Sequence, residues 1–425
     1  MNTTVISRIT SEIGQASTRS TVLDRIARRV VLSRLERLQL GQIVINENGQ
    51  LSSFGHVTEE FPAAVQLDVL NPGFYREIAF GGSIGAGEAY IEGHWGCHEL
   101  SDLLRILLRN REVLEHMDSG LALLSSPIRK MFHVLNRNTR SGSRKNIAAH
   151  YDLGNDFYKL WLDSNMMYSS AYFASPDTKL EVAATEKLER ICRKLNLSAH
   201  DSVVEIGTGW GGFAIYAASN YGCHVTTTTI SQQQYTYAKQ AIVEAGLEDK
   251  ITLLFKDYRD LDGQFDKLVS IEMIEAVGHE FHDEYFKKCK DLLKPDGQML
   301  LQAITIADQR YDQYKTGVDF INKYIFPGGC LTSVTDMTRT MTRHTDMRVI
   351  HMEDFGSHYA MTLQKWHDRF FDRIEEVREL GYSDAFIRMW KFYLCYCESA
   401  FIQRATGVVQ MLIMRPDARC DRIRY

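Results

Sequence analysis

One short stretch limits the folds open to this chain more than any other. Ser202 to Ile206, a largely apolar run, passes directly into Gly207-Thr208-Gly209-Trp210-Gly211-Gly212 and then into a helix expected over 213–220. Glycines at such a turn let the backbone reverse tightly and let a ligand approach it. The strand-then-helix order repeats. Further strands are expected at 223–230, 251–255, 267–271 and 298–304, with a helix over 283–293 and a Lys294-Pro295-Asp296-Gly297 turn before the last strand. The tail adds strands at 347–352 and 408–414, separated by helices over 359–380 and 383–405. This alternation predicts an α/β fold with a mostly parallel sheet of seven strands covered by helices on both faces.

Ahead of it lies a different organisation. Apolar and basic residues at helical spacing mark a helix over 22–40 and another over 100–117, with a glycine-rich stretch at 81–91 between them, which reads as a smaller α+β domain. The polar run Ser141-Gly142-Ser143-Arg144-Lys145-Asn146 divides the chain, giving expected domains 1–145 and 146–425. The 425 residues are enough for two full cores. Net charge is −5, yet no acidic residue falls between Asp118 and Asp152, where Arg129, Lys130, Arg137, Arg140, Arg144 and Lys145 lie. Together with Ile128 to Val134, and with Arg25, Arg28, Arg29, Arg34 and Arg37 on the first helix, this basic stretch suits an anionic lipid surface. A nucleic-acid partner is not expected, because no basic stripe is interleaved with aromatics to stack bases. The eight cysteines have no CxxC spacing, and no signal sequence or membrane-length apolar run accompanies them, so the expectation is a cytoplasmic protein with reduced thiols and at most peripheral contact with a membrane.

Gly207, Gly209 and Gly212 satisfy GxGxxG, so a nicotinamide-dependent oxidoreductase must be weighed. A dinucleotide site wants an acid at the end of the second strand, where this chain has Thr226-Thr227-Thr228-Thr229-Ile230. Glu205 before the glycines, Gln234 after the second strand and Asp257-Tyr258 after the third fit S-adenosylmethionine better. Each has a plainer reading: Glu205 as a cap for a neighbouring helix, Gln234 as the partner of Ser231 in a capping box. His279 and His282, beside Glu280 and Asp283, lack a third ligand in sequence and are expected to be surface residues, so no metal is assigned.

Taken together these residues resemble the cyclopropane fatty acid synthases over most of the chain. The resemblance rests on His150-Tyr151-Asp152-Leu153-Gly154-Asn155-Asp156, on Tyr168-Ser169-Ser170-Ala171-Tyr172-Phe173, on the glycine turn with Trp210, on Asp257-Tyr258-Arg259-Asp260-Leu261 and on Ile321-Asn322-Lys323-Tyr324-Ile325-Phe326-Pro327-Gly328-Gly329. The run Glu88-Ala89-Tyr90-Ile91-Glu92-Gly93-His94-Trp95 is similar to the family's lipid-handling, dimerising domain. The resemblance implies a class I methyltransferase-like Rossmann domain. It also implies S-adenosylmethionine-dependent methylation of double bonds in unsaturated phospholipid acyl chains, by a homodimer at the inner face of the cytoplasmic membrane.

Carried over by position, it implies a cofactor site of Tyr168, Ser169, Gly207, Gly209, Thr229, Ile230, Gln234, Asp257 and Tyr258, to which the place of Glu205 before the glycines adds that residue. It implies a reacting region of Glu275, Ile304 and Tyr359, beside a bicarbonate ion that acts as base in ring-forming members. Ser170 stands where the family has cysteine, Gln302 where it has histidine, and Ala276 where histidine often follows the glutamate. An alkene attacked by a sulfonium methyl becomes a carbocation, and the position of the base decides whether a ring closes or a methylated open chain is left, as in routes to branched or furan fatty acids. A non-catalytic lipid-surface protein is the remaining alternative.

Overall fold

The computed structural model describes residues 21–118 and 153–419. Chain contacts divide them into two compact units, and the expected boundary near residue 145, the basic stretch, the Ile128 to Val134 run and His150-Tyr151-Asp152 all lie outside the described residues.

The first unit holds residues 21–118 together with Gly317–Ile325 and Glu375–Gln403. Its sheet has the order β2-β1-β3-β4, from Gly41–Glu47 (β1), Gln50–His56 (β2), Ala64–Val69 (β3) and Trp95–Cys97 (β4). β1 and β2 are joined by Asn48-Gly49, both with positive φ, the two-residue turn whose twist matches a hairpin. The helix Val22–Leu35 starts at a capping box of Thr21 and Asp24. The stretch expected as one helix over 100–117 divides at Asn110 into Leu100–Arg109 and Arg111–Asp118. Asn110 explains the break, since its side chain accepts from the Gln39 and Leu40 amides and donates to Leu40 and Ile106 carbonyls.

The glycine-rich stretch is part of a helix, Gly73–Ile91, kinked at Gly82 (φ 61°, ψ −140°). The kink brings the chain so close to itself that a Cβ at Gly85 would lie 2.1 Å from the Glu77 carbonyl oxygen. The helix Asp384–Ile402 joins this unit although sequence order gives it to the later domain. It buries Phe386, Trp390, Phe392, Tyr393 and Phe401, and it is tied down by Arg388 to the Ile91 carbonyl and by Ser399 to the Ser101 carbonyl.

The second unit is built on a seven-stranded sheet with the order β10-β11-β9-β8-β5-β6-β7. Its strands are Ser202–Ile206 (β5), His224–Thr229 (β6), Ile251–Phe255 (β7), Phe265–Ile271 (β8), Leu293–Ile306 (β9), Arg348–Asp354 (β10) and Thr406–Met414 (β11). Strands β5 to β9 run parallel and β11 is antiparallel to both of its neighbours, so the expected mostly parallel α/β sheet is present. Lys294-Pro295-Asp296-Gly297 does not stand before β9 as a separate turn. It bulges within the strand, where pairing with β8 jumps from Phe265–Leu293 to Lys267–Gln298. The helix expected over 359–380 is two helices, Gly356–Asp372 and Ile374–Glu379.

From β5 the chain moves outward through β6 to β7, then returns to place β8 on the other side of β5. The carboxyl ends of β5 and β8 therefore flank the point where the order reverses, which is where open α/β sheets bind ligands. Apolar clusters fill both faces of the sheet: Leu268, Phe286, Met299 and Met411 on one, Leu188, Phe213, Val225 and Leu300 on the other. No helix among the described residues is long and apolar enough to cross a membrane.

The kink yields a paired test. Gly85→Ala should lower the thermal midpoint because its Cβ meets backbone, whereas Gly81→Ala, with nothing within 4 Å, should be neutral or gain about 0.5–1 kcal/mol in urea denaturation.

Candidate active site at the switch point of the sheet

The glycine turn after β5 has the conformation its sequence requires: Gly207, Gly209 and Gly211 have φ of 101°, 55° and 96°. A Cβ at Gly207 would come within 3.1 Å of Met273, across the switch point, whereas Gly209 faces open space. Trp210 donates to Asn155 Oδ1 at 2.8 Å, linking the turn to the described end of the motif at 150–156.

Residues 163–173 pass over this turn. Asp163 accepts from the Asn165 and Met167 amides at 2.9 Å each, and Met166 has φ 55°, so the chain doubles back and delivers Tyr168, Ser169 and Ser170. Gly212 makes the crossing possible, since a Cβ there would lie 2.7 Å from the Asn165 carbonyl oxygen. Tyr168 packs among Tyr158, Trp161, Phe326 and Trp366.

The remaining residues assigned to the cofactor by sequence sit at strand carboxyl ends. Glu205, on β5, does not cap a helix: it accepts from Thr227 Oγ1 on β6 at 2.6 Å, and Thr227 also bonds Thr208. Thr229 donates to Gln234 Oε1 at 2.9 Å, so of the capping box only the Ser231 half forms, and Ile230 follows half-buried. Asp257 is gripped by Arg259 at 2.8 and 2.7 Å, a buried bidentate pair. Tyr258 packs edge-on against Tyr285.

Ser170, Gln302 and Tyr359 also come together, but around a residue the sequence reading passed over. Glu272, just after β8, accepts from the Ser170 amide at 2.9 Å, from Gln302 Nε2 at 2.7 Å and from the Tyr359 hydroxyl at 2.7 Å. Its φ of 48° is uncommon for a residue with a Cβ, and its amide is held by the Gln302 carbonyl at 2.8 Å. Such strain costs about 1–3 kcal/mol and persists where the surroundings enforce it. Burial leaves the pKa of this carboxyl above its ordinary value, although the three donors and nearby Lys187 pull it down.

Glu275 sits otherwise. Its Oε1 accepts from the Ile304 amide, and its enclosed Oε2 has no hydrogen-bond partner among the described residues. Burial, and then the charge of Glu272, push its pKa up to about 8, so at neutral pH it carries a proton. Burial is the largest influence on both carboxyls and raises both; what separates them is the donor set, three groups for Glu272 against the Ile304 amide for Glu275.

Lys187 was also missed. It is fully buried on the helix Leu180–Leu195, donates to Ser169 Oγ at 2.7 Å, and is the positive charge felt by Glu205, Glu272 and Asp163. Burial lowers its pKa to about 8. A sequence signal existed, since Lys187 and Lys194 fall on the apolar stripe 184, 187, 188, 191, 194, 195 of that helix. His282 departs from its expectation as a surface residue: it is buried and bonded to Asp336 at 2.9 Å, because the helix His282–Leu292 packs on Val334–His344. Among the described residues the one metal-type grouping is Glu77, Glu92 and His94 in the first unit, where His94 already bonds Glu77.

Comparison with known proteins places the chain in a family. Residues 138–411 match the family model of mycolic acid cyclopropane synthetase. The chain is 37% identical to the tuberculostearic acid methyltransferase UfaA1 of Mycobacterium tuberculosis, over 83% of this chain and 84% of that protein. It is 39% identical to the cyclopropane-fatty-acyl-phospholipid synthase of Escherichia coli, over 83% and 88%. Among solved structures, the mycolic acid cyclopropane synthase CmaA1 complexed with S-adenosylhomocysteine aligns with TM-score 0.60 and 28% identity, covering 64% of this chain and 98% of that one.

Two tests follow from the site's packing and charge. Gly212→Ala should weaken S-adenosylmethionine binding at least tenfold by calorimetry, because the added Cβ must displace the Asn165 carbonyl. Burial pushes the Glu205 pKa up to about 8, against an unfolded value near 4.5. The folded state therefore favours its protonated form, and the stability this lends is lost as pH rises from about 4.5 through about 8. Glu205→Gln should accordingly gain in denaturation midpoint relative to the parent as pH is raised across that window.

Proposed function

The chain belongs to the mycolic acid cyclopropane synthetase family, and on that premise we propose that it transfers a methyl group from S-adenosylmethionine to the double bond of an unsaturated phospholipid acyl chain, by default closing a cyclopropane ring. S-adenosylmethionine supplies an electrophilic methyl on a sulfonium. The residues at the strand ends fit it. The open approach at Gly209, the hydroxyls of Ser169 and Thr229, the Gln234 amide and the Asp257 carboxylate offer the mixed polar groups that a nucleoside and an amino-acid tail need, and Tyr168 and Tyr258 offer aromatic faces. The absence of an acid at the end of β6 speaks against a dinucleotide.

The observation that carries the reading is the grip on Glu272. At the positions that the resemblance would have hold a bicarbonate, the Gln302 and Tyr359 side chains and the Ser170 backbone amide spend a hydrogen bond on a carboxylate of the chain itself. Bicarbonate does not fit the same donors while Glu272 occupies them, so the base is built in. The alkene π electrons take the methyl, the S–C bond breaks toward sulfur, and a carbocation is left on the chain. Glu272 then removes a proton from the new methyl, and the freed C–H pair closes the ring. Glu275 stays protonated, which keeps a second negative charge away from the base. Tyr168 is packed against the buried rings of Trp161 and Trp366, which places apolar surface beside the site.

A second reading, methyl addition without ring closure, is favoured by Ser170 and Gln302 standing in place of the family's cysteine and histidine. Labelled-methyl transfer from S-adenosylmethionine to defined phospholipid vesicles tests the activity. Glu272→Gln should lose about 100-fold or more, as removal of a general base does, while cofactor binding is kept. Ozonolysis of the product lipids followed by mass spectrometry separates the two readings, because a retained alkene is cleaved and a cyclopropane is not. An E272Q variant as active as the parent would sink the built-in base.

A further inference from the structure

Behind Glu272 a chain of hydrogen bonds crosses the sheet. Gln302 on β9 and Gln410 on β11 face one another in register and are both fully buried. Gln410 Nε2 donates to Gln302 Oε1 at 2.9 Å, and Gln302 Nε2 donates to Glu272 at 2.7 Å. Neither amide sets its own direction, because half a turn exchanges its oxygen and its NH₂ without changing its shape. An ionised Glu272 also calls for the NH₂ of Gln302, but once it is protonated it no longer does, and the asymmetry that persists in both states enters from Lys194. Its Nζ donates to Gln410 Oε1 at 2.7 Å and to Glu353 at 2.6 Å, and Arg190 holds the same Glu353 at 2.8 and 2.9 Å. An ammonium can only donate, so Gln410 must turn its oxygen to Lys194 and its NH₂ to Gln302, which leaves Gln302 with only its NH₂ to offer Glu272.

We propose that Lys194 and Gln410 are positioning residues for the reaction: the Lys194 ammonium sets the direction of two buried amides and so keeps a donor, rather than an oxygen lone pair, against the base Glu272. This rests on Glu272 being the base. Glu272 itself is faced by Lys187 and Glu275 besides the donors from Ser170 and Tyr359, and Lys194 by Glu353, Arg190 and His351. Lys194 and Glu272 hold the two ends of the amide pair, which makes it a route by which the charge on one helix reaches the carboxylate. The donor favours the ionised form of Glu272, and an oxygen in its place would favour the protonated form.

The direction can be reversed without changing shape. In Gln410→Glu the new carboxylate can only accept, so it keeps Lys194, takes the Gln302 NH₂ for itself, and turns the Gln302 oxygen toward Glu272. The experiment is the pH dependence of kcat for methyl transfer to unsaturated phospholipid vesicles, in the parent, Q410E, K194M, K194R and E272Q. Expected is an acid limb moved up by about one pH unit in Q410E and K194M, a loss of the strength of one hydrogen bond to a charged group. Rates should converge on the parent at high pH, KM for S-adenosylmethionine should stay within about twofold, and K194R should restore the parent limb. A merely structural role would lower kcat at every pH alike. Parent-like acid limbs in Q410E and K194M, with E272Q inactive, would overturn this inference alone. A fully active E272Q would instead overturn the reading beneath it. Should K194M fail to fold, Q410E carries the measurement, since it preserves the side-chain shape and gains an ion pair with Lys194.

Discussion

A carboxylate enclosed by protein survives in its charged form only if donors replace the water it has lost, and this chain gathers three of them around Glu272. Much of the second unit's local geometry follows from that need. The Ser170 amide arrives because the chain at 163–170 doubles back over the glycine turn, Gln302 because β9 lies beside β8, and Tyr359 because the helix Gly356–Asp372 follows the edge strand β10. Lys187 adds a positive charge from a fourth element. Removing any one donor leaves a buried lone pair unanswered, so the site is specified by the fold as a whole rather than by any one loop.

The same enclosure separates Glu272 from Glu275. Both follow β8 and both are raised by burial, yet one has three side-chain and backbone donors and the other has the Ile304 amide. Like charges at that separation repel, and the less supported carboxyl keeps its proton. A site so arranged offers a base next to a neutral acid in apolar surroundings, which suits chemistry that passes through a cation and must avoid water.

Much of this was legible in the sequence. The seven strands, the glycine turn and the clustering of Ser170, Gln302 and Tyr359 follow from periodicity, glycine placement and a family resemblance. What was not legible depends on contacts between distant segments. Glu272 lies in an apolar run, Ile271-Glu272-Met273-Ile274-Glu275, where the resemblance drew attention to Glu275, and only the folded register of β8, β9 and the helix at 356–372 reveals which carboxylate the donors meet. The bulge at 294–297 looked like a turn because Pro and Gly mark either, and the helix at 384–402 belongs to the first unit through contacts with segments about 300 residues earlier, such as Arg388 with Ile91 and Ser399 with Ser101. His282 was misjudged for want of its partner Asp336, 54 residues away.

The claim at the centre is that the chain carries its own base. The most direct measurement is the methyl-transfer rate to unsaturated phospholipid vesicles in buffer stripped of carbon dioxide, before and after bicarbonate is added back. A built-in carboxylate predicts the full rate in stripped buffer and no change on addition. A rate that collapses on stripping and returns with bicarbonate would contradict it.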